Sequence, residues 1–258
     1  MPSVALVSYL QYLSLLGAGL TDVKLLKAGL FRQYQVLFWF LIFFILSSVA
    51  SLVFDVSSQM YQKLWISTEP VLWAFEILLV RELYRLILSR YQGLLTLGRW
   101  AMALSTGIAV VVSVASLLPR ITPAMPQSSR IMGYALAAER GVDLSLALYL
   151  LLTLVFLTLY PIPLPRNVLV HAVIYSVFFL SNTFGVLLRV ILGLRLKDEV
   201  NLFLMGISSL CMIAWFLFLS AKGEEMRVNL PWISSEHEQR LLEQLEALNA
   251  TLLRASRS

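Results

Sequence analysis

"QVLFWFLIFFILSSVASLVF", residues 35–54, decides the fold, because these twenty residues carry no charge. A helix of that length crosses the roughly 30 Å hydrocarbon core of a bilayer, since each residue advances about 1.5 Å. Hydrocarbon offers no partner for free backbone groups, and the stretch lacks the alternating pattern of a barrel strand. The stretch therefore predicts a transmembrane helix.

The composition of the whole chain extends this prediction. Of 258 residues, 59% are hydrophobic and 14% are charged, with a mean hydropathy of +0.80. Soluble domains are about 45–50% apolar and about 25% charged, so a soluble fold is excluded. The net charge of +5 comes from basic residues at the ends of apolar blocks, which indicates membrane flanks and no nucleic-acid partner. The single cysteine, Cys211, excludes an intramolecular disulfide and a cysteine-based metal cluster.

Seven apolar blocks predict an all-α, polytopic transmembrane bundle of seven spans over residues 1–221. Lysine and arginine in the short loops favour an orientation with the N-terminus outside and the C-terminus inside. The predicted spans are Val4–Leu20, Gln35–Phe54, Pro70–Tyr91, Trp100–Leu118, Leu144–Tyr160, Val168–Leu192 and Leu202–Ala221.

Two connections between blocks have their own patterns. Pro161, Pro163 and Pro165 separate the fifth and sixth blocks, and proline ends both helices there because it lacks an N–H donor. The stretch "RIMGYALAAERG", residues 130–141, predicts a short outer helix that ends at Gly141 and leads into the fifth span.

The third block carries charges in "EILLVRELYR", residues 76–85. With about 100° per residue, Arg81, Glu82 and Arg85 fall on one side of the helix and Glu76 on the other. Glu82 and Arg85, three residues apart, can form a pair within the helix. Under the predicted orientation, the sixth block brings His171 to the depth of Glu82. It brings Asn182 or Arg189 to the depth of Glu76.

This predicted intramembrane polar cluster has two interpretations. The first is structural: the polar groups fix how the third and sixth spans pack. The second is functional: they form a site for a ligand, a proton or an ion. His171 has no second imidazole or thiolate nearby, so a packed histidine is favoured over a metal ligand, and no metal or cofactor is expected. The members are Glu76, Arg81, Glu82, Arg85, His171, Asn182 and Arg189.

No catalytic motif is found. "GISS", residues 206–209, is faintly similar to the serine motif of rhomboid proteases, but it lacks the final glycine and a later histidine. Small residues there favour close helix packing instead. The last block has no lysine for a retinal Schiff base, which excludes a microbial rhodopsin.

Residues 222–258 form a predicted cytoplasmic tail with one amphipathic helix. Its leucines repeat at alternating spacings of four and three, as in a coiled-coil seam of about two heptads. Two heptads are marginal alone. Three interpretations stay open: the helix packs on its own bundle, pairs with a copy or another protein, or lies on the membrane. The seam consists of Leu241, Leu245, Leu248 and Leu252.

The third block, "EPVLWAFEILLVRELYRLIL", and the tail stretch "LEALNATLLRA" resemble uncharacterised multi-span membrane proteins of bacterial, especially acidobacterial, genomes. The resemblance covers most of the chain and implies no activity and no site. The leading hypothesis is a sensor, adaptor or membrane-complex subunit that acts through the tail. The alternative is a small-solute or proton-coupled transporter that uses the charged third span.

Overall fold

The structure, a computed structural model, describes residues 4–54, 58–88, 91–117, 127–159, 164–192, 197–225, 227–228, 243–247, 249–252 and 254. These residues are almost entirely helical, as the sequence predicts, apart from a two-residue antiparallel ladder between β1 (Leu164–Pro165) and β2 (Arg227–Val228). The helices are α1 (Val4–Lys27), α2 (Gln35–Val53), α3 (Gln59–Ile87), α4 (Gln92–Leu117), α5 (Gln127–Leu159), α6 (Arg166–Leu192), α7 (Lys197–Phe218) and α8 (Ala221–Glu225), with a 3-10 turn at Leu30–Arg32.

Four of these helices are long and apolar enough to cross a membrane, so the chain is a membrane protein. A shorter apolar stretch, Gly141–Leu157, lies in α5. The four stretches are Gln35–Val53, Gln92–Val111, Arg166–Gly185 and Asp198–Phe218.

The helix α3 begins at Gln59, well before the predicted start at Pro70. The Ser58 hydroxyl caps it by accepting a hydrogen bond from the N–H of Tyr61 at 3.1 Å. Pro70 therefore lies inside the helix. Proline usually disrupts a helix interior, so the capping signal at Ser58 is the better indicator of the start.

The helix α5 also corrects a prediction, because it runs through Gly141 without ending there. A Cβ at Gly141 would lie 2.7 Å from the Cα of Val110 in α4. This glycine therefore permits α4 and α5 to cross with their backbones almost in contact. The sequence analysis is therefore correct that Gly141 is needed, but the reason is close packing of α4 on α5 and not the end of a helix.

The long helices form a ring. Going round it, α2 contacts α1, α1 contacts α7, α7 contacts α6, α6 contacts α5, and α5 contacts α4; α3 closes the ring against α2, α5 and α6. The largest buried side chains include Trp215, Tyr34 and Phe179. The ends of α1, α3 and α7 and the starts of α2, α4 and α6 lie at one end of the ring, called the tail end below.

The contact between α1 and α7, called the α1–α7 seam, depends on small residues. The hydroxyls of Ser14 and Ser209 hydrogen-bond at 2.7 Å, and a Cβ on Gly17 would lie 3.0 Å from the Cβ of Met212. At its tail end, Lys24 donates to the carbonyls of Phe216 and Leu217. Ser209, the last residue of "GISS", thus lies in the seam, but nothing lies within 4 Å of a Cβ built on Gly206, so the predicted close packing is not seen at that glycine.

Candidate functional site at the tail end

Glu224 lies at the centre of a polar network that joins three parts of the chain. Its Oε1 accepts hydrogen bonds from the Tyr34 hydroxyl and from Asn167 Nδ2, the latter at 2.7 Å, and its Oε2 accepts one from Gln33 Nε2 at 2.6 Å. Asn167 also donates to the carbonyl of Ser220 at 2.8 Å. The network ties the α1–α2 connection, the start of α6 and α8 together.

The chemistry of this network is that of an anion held by neutral donors. Burial, and then the hydrogen bond to Glu224, raise the pKa of Tyr34 well above its ordinary value, so the phenol keeps its proton and donates. Asn167 is fully buried. A Cβ on Gly223 would lie 2.1 Å from Asn167 Oδ1, so only glycine fits beside this amide.

Below the network, three aromatic rings pack around His171. The ring centroids of His171 and Tyr34 are 4.5 Å apart, His171 stacks on Tyr175 at 5.6 Å, and the tilted ring of Trp215 lies 6.3 Å away. Neither ring nitrogen of His171 has a hydrogen-bond partner among the residues that the structure describes, and the same holds for the Trp215 indole N–H. The predicted bond between Glu82 and His171 is therefore not formed, although both residues lie at the tail end.

Glu82 instead caps the start of α2. Its Oε1 accepts a hydrogen bond from the N–H of Val36 at 3.2 Å, and the N–H groups of Gln35 and Leu37 also face this carboxylate. A helix start leaves such donors free, and Tyr34 at the cap position supplies no side-chain bond. The predicted pair of Glu82 with Arg85 is confirmed, with 3.9 Å between Glu82 Oε1 and an Arg85 guanidinium nitrogen.

Arginines line a cleft between α3 and α4, called the α3–α4 cleft. Its first part, about 300 Å³, is lined by Arg81, Arg85 and Arg99 together with the buried Glu82. Its second part, about 570 Å³, shares Arg81 and Arg99 with the first and adds Trp100 and apolar side chains. The structure thus brings three predicted cluster members together, and Arg99 from α4 joins them.

The other predicted members lie elsewhere. Glu76 is half-buried and does not line the α3–α4 cleft, in keeping with its predicted position on the other side of α3. Asn182 is half-buried in α6, and the side chain of Arg189 lies outside the described residues. The pairing of Glu76 with Asn182 or Arg189 stays a prediction.

The tail reaches the start of α4. Residues 243–247 and 249–252 are helical, Leu245 is fully buried and Leu252 packs on the core. Asn249 Oδ1 accepts a hydrogen bond from the N–H of Gly93 at 2.8 Å. A Cβ on Gly93 would lie 2.7 Å from the carbonyl oxygen of Asn249, so glycine permits this contact. Leu241 and Leu248 lie outside the described residues.

A second polar cleft, of about 330 Å³, was missed in the sequence because its members come from four helices. It lies at the opposite end of the ring from the tail, and its hydroxyls bond largely to carbonyls of their own helices, as Ser51 does to Ser47 and Thr68 to Leu64. Their oxygens therefore remain available as acceptors. The polar lining residues are Gln11, Ser14, Ser47, Ser48, Ser51, Tyr61, Trp65, Thr68, Glu69 and Ser208.

Comparisons with protein-family models, with curated proteins and with solved structures found no match. Within the described ranges, no group of three histidine, cysteine, aspartate or glutamate side chains is placed to hold a metal ion. The site is therefore interpreted from its own geometry.

Proposed function

We propose that the chain is a multi-pass sensor or adaptor of the bacterial inner membrane, with seven spans, an outer N-terminus and a cytoplasmic tail that docks on the bundle and is released. The observation that carries this proposal is the cap that Asn249 places on Gly93. Gly93 lies in the first turn of α4, where backbone N–H groups have no partner within the helix.

The dock is built to be reversible. Asparagine is a preferred capping residue and a cap contributes about 1 kcal/mol, so this bond adds a modest amount to the packing of Leu245 and Leu252 that also holds the tail. The docked face of the tail contains Leu245, Asn249 and Leu252, which lie on one side of a helix at spacings of four and three. Two of the predicted seam leucines are thus occupied in the docked state.

Release of the tail would expose this seam to a partner protein or to a second copy of the chain. Docking and association then compete for the same leucines, so any change at the start of α4 shifts the balance between them. This competition supports a signalling or assembly role. It also reconciles the two leading interpretations of the tail, packing on the bundle and pairing with a partner.

The test uses Gly93→Ala, which places a methyl group against Asn249 and Leu252 while leaving the seam leucines unchanged. The matched control is Gly107→Ala on the same helix, because nothing lies within 4 Å of a Cβ there. We expect Gly93→Ala to increase tail-dependent co-purification or self-association, measured by mass spectrometry and light scattering, and Gly107→Ala to leave it unchanged. Deletion of residues 235–258 should abolish the association. Equal association of both variants and the parent would refute the proposal.

A carrier is the second candidate, favoured by the hydroxyl-lined cleft at the opposite end of the ring from the tail and by the unbonded imidazole of His171. In this case Glu76, Arg81, Glu82, His171 and Arg189 would serve a solute or proton path. Glu76→Gln should then remove pH-dependent uptake into proteoliposomes without lowering thermal stability. A variant that loses stability but keeps uptake would assign Glu76 to packing.

A further inference from the structure

Arg81 and Arg99 stand where the two parts of the α3–α4 cleft join. Both side chains are exposed, and each lines both parts. In the part of the chain that the structure describes, neither guanidinium has an ion pair or a hydrogen bond, whereas Arg85 has Glu82. Two cations from facing helices thus border one cleft and share no protein anion.

The cleft keeps an excess of positive charge. Glu82 is the one acid that lines it, among the residues described, and this carboxylate is already engaged by the start of α2 and by Arg85. It therefore cannot neutralise Arg81 and Arg99 as well. The two exposed guanidinium groups are open to an anion from outside the chain, and a phosphate group is an acceptor that arginine binds well.

The depth of the arginines fits a lipid headgroup. Arg81 lies six residues before the end of α3 and Arg99 seven residues after the start of α4, or about 9–10 Å from these helix ends. Arginine side chains at such positions extend toward the interface. Trp100, which is 74% exposed, stands beside them, as aromatic residues do at headgroup level.

The second part of the cleft continues toward the hydrocarbon. Beyond the arginines it is lined mainly by apolar side chains, those of Ile77, Leu78, Met102 and Ala103, together with Thr106. Leu78 and Ala103 are exposed, so the groove opens sideways to the surrounding lipid. Its volume of about 570 Å³ accommodates part of an acyl chain. A free phosphate ion would leave this apolar part unfilled.

We propose that the α3–α4 cleft binds an anionic phospholipid from the bilayer, with its phosphate between Arg81 and Arg99 and an acyl chain along the apolar part. The two arginines select the anionic headgroup, and the groove selects a membrane lipid over a soluble phosphate. This lipid site accounts for the charged residues of "VRELYR", residues 80–85. Glu82 caps the start of α2, Arg85 pairs with Glu82, and Arg81 binds the lipid phosphate.

The lipid site also suggests what the proposed sensor detects, and this step rests on the proposed function. Leu95 lines the arginine part of the cleft, only two residues from Gly93, where Asn249 caps α4. A lipid that pulls α3 and α4 together acts on the same turn that holds the tail. Anionic lipid content of the membrane would then set the position of the tail.

The experiment measures retention of dioleoyl phosphatidylglycerol on the purified full chain by native mass spectrometry, with dioleoyl phosphatidylcholine as the neutral lipid. A basic side chain near anionic lipid contributes about 1 kcal/mol, or roughly fivefold in affinity. We expect Arg81→Gln and Arg99→Gln each to weaken phosphatidylglycerol binding roughly fivefold, and the double variant roughly 25-fold. Phosphatidylcholine should be affected less.

The matched controls are Lys27→Gln and Arg32→Gln, cations at the tail end that do not line the cleft. They should leave binding unchanged; losses equal to those of Arg81→Gln would mean general charge attraction and overturn the proposal. Ala103→Trp fills the apolar part and should weaken lipid binding with all arginines present. If inorganic phosphate displaces the lipid completely, the site is a phosphate site only. If Ala103→Trp binds phosphatidylglycerol normally, the acyl chain does not occupy the groove. Either result makes the lipid proposal wrong.

The same proteins separate this proposal from the proposed function. Asn249→Ala releases the tail but leaves the cleft lining intact, so its lipid binding should still depend on Arg81 and Arg99. If the arginine variants lose lipid while tail association does not change, the lipid site stands and the coupling to the tail fails. If lipid binding does not depend on Arg81 or Arg99, the site fails whatever the tail does.

Discussion

The α1–α7 seam and the α3–α4 cleft show two ways to join helices in one bundle. In the seam, Gly17 lets the backbones approach and the Ser14 and Ser209 hydroxyls bond to each other. In the cleft, Arg81 and Arg99 line an open volume between α3 and α4. In the seam, the protein's own groups satisfy one another. The cationic cleft, in contrast, has the chemistry of a site that a bound ligand completes.

The cations of the two regions make the contrast specific. Lys24 ends the α1–α7 seam on carbonyls at the end of α7, where a helix leaves acceptors free and its dipole attracts positive charge. Arg81 and Arg99 reach no such acceptor among the described residues. A cation with a protein acceptor contributes to folding, and a cation without one is available for a ligand.

The largest effect is expected from Gly17→Leu, which forces a bulky side chain against Met212. Overpacking of a close contact costs about 3 kcal/mol at the upper end of the usual range, so the variant should unfold far more readily in mixed micelles. Gly19→Leu on the same helix is the control, since nothing lies within 4 Å of a Cβ there. Equal losses in both variants would mean that the seam is not closely packed.

Asp22 tests whether every buried polar group on α1 has a hydrogen-bond partner. It lies two residues beyond the predicted first span, is buried, and its Oδ1 has no hydrogen-bond partner among the described residues. Burial raises its pKa from 3.8 to about 7. The folded state thus disfavours the ionised carboxylate.

The sign of the pH dependence follows from this raised pKa. Below pH 4 the carboxyl is protonated in both states and there is no penalty; as pH rises toward 7 the unfolded state ionises first, so stability falls. Asp22→Asn should remove this fall and add about 2 kcal/mol at pH 8, with little change at pH 4. Unfolding measured from pH 4 to 8 checks this, and parallel curves for both proteins would contradict it.

The next largest loss of stability is expected from replacing the cation of the α1–α7 seam, Lys24. Lys24→Met should cost about 1 kcal/mol, because it leaves the end of α7 without its donor and loses the charge–dipole attraction. Arg81→Met should leave the stability of the delipidated protein unchanged. Thermal unfolding in detergent compares the two. A loss for Arg81→Met as large as that for Lys24→Met would show that the cleft cation supports the fold directly.

The sequence predicted what depends on neighbours along one helix. Apolar blocks located the long helices, and the 100° step put Glu82 and Arg85 within reach of each other and Glu76 on another face. These relations depend only on the spacing of residues within one helix, so the helical periodicity of the sequence predicts them. The same reasoning explains why the start of α3 was missed: the signal was one capping serine, Ser58, rather than an apolar block.

The remaining contacts at the tail end could not be predicted, because two of the helix starts there, those of α2 and α4, are capped by distant side chains. Glu82 caps α2 from α3, and Asn249 caps α4 from the tail. A free N–H at a helix start donates to any suitably placed oxygen, so the sequence of that helix does not specify the partner. Glu224, with donors from Gln33, Tyr34 and Asn167, is a further case of this kind.

The smallest effect expected is the coupling between Ser14 and Ser209. The Ser209 hydroxyl has second partners in the carbonyls of Leu10 and Met205, so Ser14→Ala removes only part of its hydrogen bonding. Polar pairs between membrane helices contribute about 0.6 kcal/mol on average. A double-mutant cycle with Ser14→Ala and Ser209→Ala should give a coupling of that size. A coupling of zero would leave close packing at Gly17 as the source of stability in the seam, and the contrast with the α3–α4 cleft would then be one of shape, with hydrogen bonding playing no part.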